Sequence, residues 1–393
     1  MEEDKNKEYN VERKLNTKKA IFVGSIFLII MLIIIIFSLY IVKEDFRKWM
    51  DINVLRKNIS NEDVACIDLN TDKNNQVYCY GRNICILKDK NLLIYNSSGE
   101  SIEELPIDIN TALFAVSNKY LSVAENSGKK VCLILDKTIL WEENVEGEIL
   151  QVHVNNNGYV AVVWADTTYK SIITLYNSDG TEIFKNYLSS TRVVDVAISK
   201  DNKYVAFAEM DTSGTLIQSN IKIISVDKVV NNAEDAIIYT KNADINRMVV
   251  KIKYQEKGNL VCMYDDCIKM ISESKENDII SIDQNTTFAS VDMKDTVVHV
   301  KEETSGIFNF NSVVNIVNTT NNQVMTYSFS EVAKEIYTYE DIIGINIGTD
   351  IYFVNTSGML IKKYTSKQEI TNVVLSNNLA LIIYKDRVEI INL

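Results

Sequence analysis

Two histidines, His153 in QVHVN and His299 in VVHVK, are all the imidazole the chain has. Both sit in apolar, alternating runs that read as strands, so a His-built metal site or a His-dependent triad lacks raw material. Cysteine offers more. Cys79 and Cys85 flank Gly81-Arg82-Asn83, and Cys262 and Cys267 flank Tyr264-Asp265. A hairpin centred on each turn sets the two thiols of each pair opposite one another, close enough for a cross-strand disulfide; the competing reading makes each a small strand hydrophobe. Cys66 and Cys132 have no evident partner, and no C-x-x-C arrangement for zinc or redox chemistry occurs.

Asp68-Leu69-Asn70-Thr71-Asp72 places oxygen ligands at alternate positions, as a calcium loop does. Lys73 stands where such a loop has Gly, and Cys79 where it has its bidentate Glu, so a solvated turn is the expectation. Asp265-Asp266 likewise reads as a turn. No Gly-rich phosphate loop and no nucleophile elbow is present. Catalytic, cofactor and metal residues are therefore not assigned. The net charge of -12 is opposite in sign to a nucleic-acid binder.

The elements that carry these residues repeat. An alternating apolar run ending in Asn, Ser or Asp recurs at Asn96, Asp136, Asn177, Ser225, Ser272, Asn318, Asn355 and Asn392, at intervals of 37 to 48 residues. A second series of apolar strands starts in phase with it at Ile84, Tyr120, Tyr159, Tyr204, Leu260, Val297, Ile342 and Leu379. Eight units of that length match four-stranded propeller blades. The expectation is an all-β, eight-bladed β-propeller, with seven blades as the alternative. The eighth unit ends at Leu393 one strand short, and the orphan run VACIDL, Val64 to Leu69, is expected to supply that strand and close the ring. Turns such as Asn96-Ser97-Ser98-Gly99 and Asn177-Ser178-Asp179-Gly180 put Gly where a tight hairpin needs positive φ.

Before the repeats, residues 20–42 run uncharged through AIFVGSIFLIIMLIIIIFSLYIV, long enough as a helix to cross a hydrocarbon core of about 30 Å. No small-residue cleavage site follows, so the run reads as an uncleaved signal anchor. The resulting division is a cytoplasmic tail at 1–19, a single transmembrane helix at 20–42, a juxtamembrane stalk at 43–60 and the propeller at 61–393. The tail carries net +1 and everything after the span net -13. Lys18-Lys19 abut the span, which favours a cytoplasmic N-terminus and an extracytoplasmic propeller at the cell membrane.

The strand-turn-strand unit LYNSDGTEIFKN resembles quinoprotein-like and WD40-like repeats. Anchor and propeller together resemble a clostridial (Firmicutes) membrane-anchored family of unknown function. The tryptophan that the quinoprotein repeat implies appears only at Trp141, so a quinone cofactor is not carried over, and no cofactor is expected. The loops joining second to third strands are long at 211–220 and 303–311, and the latter holds Ile307, Phe308 and Phe310. Aromatic residues on a rigid loop face suit a protein or cell-envelope partner; alternatively they fold over a neighbouring blade. The function expected is a membrane-anchored, extracytoplasmic interaction scaffold without catalysis. The alternatives are an extracytoplasmic carboxylate-dependent hydrolase or lyase using acids at the central channel, and a ligand-sensing propeller.

Overall fold

The computed structural model describes residues 17–55, 57–60, 64–69, 75–245, 247–272, 274–304 and 310–393. They form two compact units, divided between Lys57 and Asn58.

The first unit holds helix α1, Thr17–Val42, and helix α2, Glu44–Asn53. α1 has no polar face, and Ile21–Val42 reaches a mean hydropathy of 3.1 with none of that stretch packed against protein, which makes it a candidate membrane span or signal anchor. The end of α1 is tied to α2 by side chains: the Tyr40 hydroxyl donates to Asp51 Oδ1 at 2.7 Å, and Lys57 Nζ lies 2.8 Å from the same oxygen.

The second unit is an eight-bladed β-propeller. Blades 1 to 7 are consecutive four-stranded antiparallel sheets over residues 76–106, 112–144, 148–188, 191–242, 249–281, 286–329 and 335–365. Blade 8 takes strands a to c from Asn372–Ser376, Leu379–Ile383 and Arg387–Asn392, and its strand d from Ala65–Asp68, far earlier in the chain. The register is Ala65↔Ile390, Cys66↔Glu389, Ile67↔Val388 and Asp68↔Arg387. All eight repeat starts fall at or next to the first residue of a strand b, and all eight Asn, Ser or Asp markers fall at or just after the last residue of a strand c. One pairing has no counterpart in the repeat: Asn58–Ser60, read from sequence as the end of the stalk, runs parallel to strand d of blade 7 as a fifth strand.

Strands b and c read as nearly continuous apolar runs because both of their faces are covered by neighbouring blades. Val160–Ala165, Ser171–Tyr176 and Leu379–Ile383 are buried almost throughout. Outer strands such as Ser101–Pro106 and Ile237–Asn242 are largely exposed and carry the charge. The core is accordingly a series of apolar layers between successive blades. The layer between blades 8 and 1 includes Ile67 of the closing strand, with Val77, Ile84, Leu381, Val388 and Ile390. A polar latch joins blades 7 and 8: the Tyr364 hydroxyl bonds Glu389 and, at 2.5 Å, Tyr384, while Arg387 Nε donates to Glu389 Oε1 at 2.8 Å.

The recurring Asn has a geometric cause. In the turns at Asn96, Asn177 and Asn355 the side-chain oxygen accepts backbone N–H groups two and four residues on, at 2.9 to 3.1 Å. The glycine that follows lies at positive φ, +80° at Gly99 and +89° at Gly180. At Gly99 a Cβ would also sit 3.0 Å from the Cys66 carbonyl oxygen, so this turn presses on the closing strand.

Adjacent positions on that strand give a sharp contrast. Ile67 is 5% exposed, whereas the Cys66 side chain is on the exposed face. Ile67→Ala should lower unfolding free energy by about 2–5 kcal/mol in urea titration. Cys66→Ala should change it by less than about 0.5 kcal/mol.

Candidate functional site

The a strands surround the propeller axis, and in four consecutive blades they share a defect. A β-bulge interrupts pairing of strand a with strand b between Ile149 and Gln151, Val193 and Asp195, Val249 and Lys251, and Thr286 and Phe288, in blades 3 to 6. The same pair is regular in blades 1, 2, 7 and 8. A bulge adds a residue, sharpens the twist and re-aims the side chains that follow. In blades 3 to 5 the first side chain after the bulge is polar and reaches the next blade. Gln151 Nε2 donates to the carbonyls of Val193 and Val194 at 3.3 and 3.1 Å. Asp195 accepts the Val196 N–H at 3.0 Å and the Ile252 N–H of blade 5 at 2.8 Å. Lys251 Nζ meets Asp292 Oδ2 of blade 6 at 2.5 Å.

The second halves of the a strands enclose a cavity of about 560 Å³ in the part of the channel nearest the a–b turns. Its wall has two characters. Blades 8, 1 and 2 supply an apolar arc from Val374, Leu375, Tyr78, Phe114 and Val116, with the Tyr78 and Phe114 rings stacked at 4.0 Å. Blades 3 to 7 supply a polar arc from His153, Asp195, Lys251, Lys253, Asp292 and Glu340.

Protein surrounds these groups although water reaches the channel, and their ionisation reflects it. Burial, reinforced by the Lys251 charge, pushes His153 down to about 4. Its Nδ1 lies 3.7 Å from Asp195 Oδ1, but a neutral imidazole makes this no ion pair; Nε2 meets Gln151 Oε1 at 3.2 Å. Burial raises Asp195 to about 6, against the opposing pull of the Ile252 N–H and Lys251. Burial also lowers Lys253, against the attraction of Asp292 and Glu340. Asp195 and Asp292 are the acids a channel-based hydrolase would draw on. Asp195, however, has both oxygens held by backbone N–H groups, and Asp292 is paired with Lys251. Glu340, the third acid of the arc, makes no side-chain hydrogen bond or ion pair among the described residues.

The residues singled out from sequence lie elsewhere. Ile307 and Phe308 fall outside the described residues; Phe310 opens strand c of blade 6, opposite Thr304. Of the Asp68-to-Asn74 segment, 70–74 also fall outside them. Among the described residues no cluster of three or more His, Cys, Asp or Glu could hold a metal. The cysteine pairs do not face each other. The first turn holds two residues, with Tyr80 paired to Asn83, so Cys79 opposes Ile84 and Cys85 opposes Tyr78. That shift of one residue sends the two thiols to opposite faces of blade 1, into the layers toward blades 8 and 2. Cys262 opposes Lys269, two residues beyond Cys267. All six cysteines are free thiols and only Cys66 is exposed; burial raises Cys79 to about 11 and Cys267 to about 12. His299 is buried in strand b of blade 6.

The polar arc went unread in the sequence. Its signal was there: VVDVAI and VKIKY put charges at matching positions inside the a strands of blades 4 and 5, where the companion blades are apolar.

A profile for a family of unknown function, DUF5711, matches residues 56–393. The chain belongs to that family. No curated protein matches the sequence. Among solved structures, the C-terminal WD40 domain of Sif2 is similar at a TM-score of 0.56 with 10% identity, over 84% of this chain and 99% of that one. BamB from Moraxella catarrhalis is similar at 0.52 with 12% identity, again over 84% and 99%. At such identities what this DUF5711 chain shares with them is the propeller fold.

Burial depresses both imidazoles, His299 also to about 4. With only two histidines present, their NMR signals are assignable by substituting either one. Both should hold neutral chemical shifts from pH 8 down to about 5. Titration of His153 near pH 6.5 would show the channel wall to be open to bulk water.

Proposed function

We propose that this DUF5711 protein is a membrane-anchored, extracytoplasmic interaction scaffold, held by α1 and working through its propeller without catalysis. The anchor is supported by the uninterrupted apolar surface of Ile21–Val42, and the orientation by the Lys18-Lys19 pair that abuts it.

The observation that carries the scaffold reading is a pair of β-ribbons on one face. In blades 4 and 6 the b and c strands run for eight and nine residues, against five or six in most other blades. Three added residues extend a hairpin by roughly 10 Å, at about 3.3 Å per residue. The blade 4 ribbon stays paired out to Asp211↔Gln218, and its tip exposes Leu216 and Ile217. The following d–a loop exposes Ile245 and Met248 on the same face, and Ala243 N–H bonds to Ser219 C=O at the ribbon's side. Rigid strands presenting apolar groups lose little entropy on binding a protein partner. The hydrolase alternative would draw on Asp195, whose oxygens are held by backbone N–H groups, and on Asp292, which is paired with Lys251.

A photoreactive, membrane-impermeant maleimide on Leu216→Cys, in a Cys66→Ala background, tests location and face together. It should attach in intact cells and, on illumination, give a discrete protein adduct that Asp179→Cys on the opposite face does not give. Attachment only after lysis would contradict the orientation, and identical adducts from both positions would contradict the ribbon face.

A further inference from the structure

The channel cavity has a chemistry that scaffolding through the ribbons leaves unused. Its cations are mostly spoken for: Lys251 is bound to Asp292, and Lys200 to Glu256 at the a–b turns. Lys253 is different. Its side chain lines the cavity between these pairs and makes no hydrogen bond or ion pair among the described residues. Holding an ammonium among protein walls without an acceptor costs stability, and proteins keep such groups where a ligand meets them. The opposite wall is the Tyr78–Phe114 stack with Val116, Val374 and Leu375, a broad apolar surface whose one polar group is the Tyr78 hydroxyl. A volume of about 560 Å³ lies within the range of small-molecule sites, roughly 300–1,000 Å³.

We infer that this cavity binds a small amphipathic monocarboxylate, with its carboxylate on Lys253 and its apolar body against Tyr78 and Phe114. The polar arc disfavours a second negative charge on the ligand: Asp195, Asp292 and Glu340 stand around the same space, and the wall's other lysine without a side-chain partner among the described residues, Lys294, has its backbone bonded to that of Glu340. The bulges of blades 3 to 5 turn polar side chains onto one side of the axis only, which gives the cavity its two-sided character.

The test uses the full chain in lipid nanodiscs and three matched probe pairs: indole-3-acetate with indole-3-acetamide, trans-cinnamate with cinnamamide, and phenylacetate with phenylacetamide. At least one acid should bind about tenfold tighter than its amide, as one charge-assisted hydrogen bond implies. Lys253→Met should abolish that preference while raising Tm, because it removes an unpaired charge; Lys253→Arg should keep the preference, and Phe114→Ala should weaken acid and amide alike. The inference is overturned if no acid is preferred over its amide, if the preference survives Lys253→Met, or if Lys253→Met lowers Tm and so marks the lysine as part of the structure's own polar network. Failure of any of these leaves the ribbon crosslinks unaffected, so the two readings fall separately.

Discussion

Everything in the propeller depends on a four-residue pairing. Ala65–Asp68 lies against Arg387–Asn392, and without it blade 8 would have three strands and a bare edge. An open edge is a template for aggregation, and a ring is the arrangement that leaves none between its first and last blades. The pairing also closes the apolar layer between blades 8 and 1, because Ile67 completes a cluster drawn from both. On the other side, the Tyr364, Tyr384, Glu389 and Arg387 network ties blade 8 to blade 7. The closing strand opposes Glu389 at Cys66, so apolar layer and polar latch meet on one short strand.

A closed ring fixes the a strands around an axis, and that constraint makes the bulges consequential. In an open sheet an extra residue is absorbed at the edge. Around a closed channel, the bulges of blades 3 to 5 turn Gln151, Asp195 and Lys251 toward their neighbours and leave Lys253 without a hydrogen bond or ion pair among the described residues. Blades 1, 2, 7 and 8 keep regular pairing there, and blades 8, 1 and 2 keep an apolar wall. The site is therefore a property of the ring, assembled from single residues contributed by several blades.

This explains what the sequence makes legible. The blade count follows from period alone, since strands b are largely apolar on both faces and the c–d turns recur at intervals of 37 to 48 residues, those of blades 1, 3 and 7 with an Asn oxygen holding their N–H groups. The closing strand is readable because VACIDL has no other sheet to join. Register is not readable: Gly81 at φ +56° makes the Cys79–Cys85 hairpin one residue tighter than its sequence symmetry suggests, and every side chain beyond it changes face. The channel is harder still. His153, Asp195 and Lys253 are about 40 to 60 residues apart, and nothing local marks a bulge that depends on which side of the axis a blade occupies. Loop aromatics such as Phe308 attract attention because exposure is easy to read from composition, whereas a charge inside an apolar strand reads as noise until its blade is placed.

Amide hydrogen exchange across Ala65–Asp68 tests the closed ring most directly. If this strand is the clasp, those of its amides that bond to Arg387–Asn392 exchange only through global unfolding, with the same free energy as those of Leu379–Ile383 in the centre of blade 8. Exchange of Ala65–Asp68 at the rate of a free chain end, with Leu379–Ile383 still protected, would contradict the account.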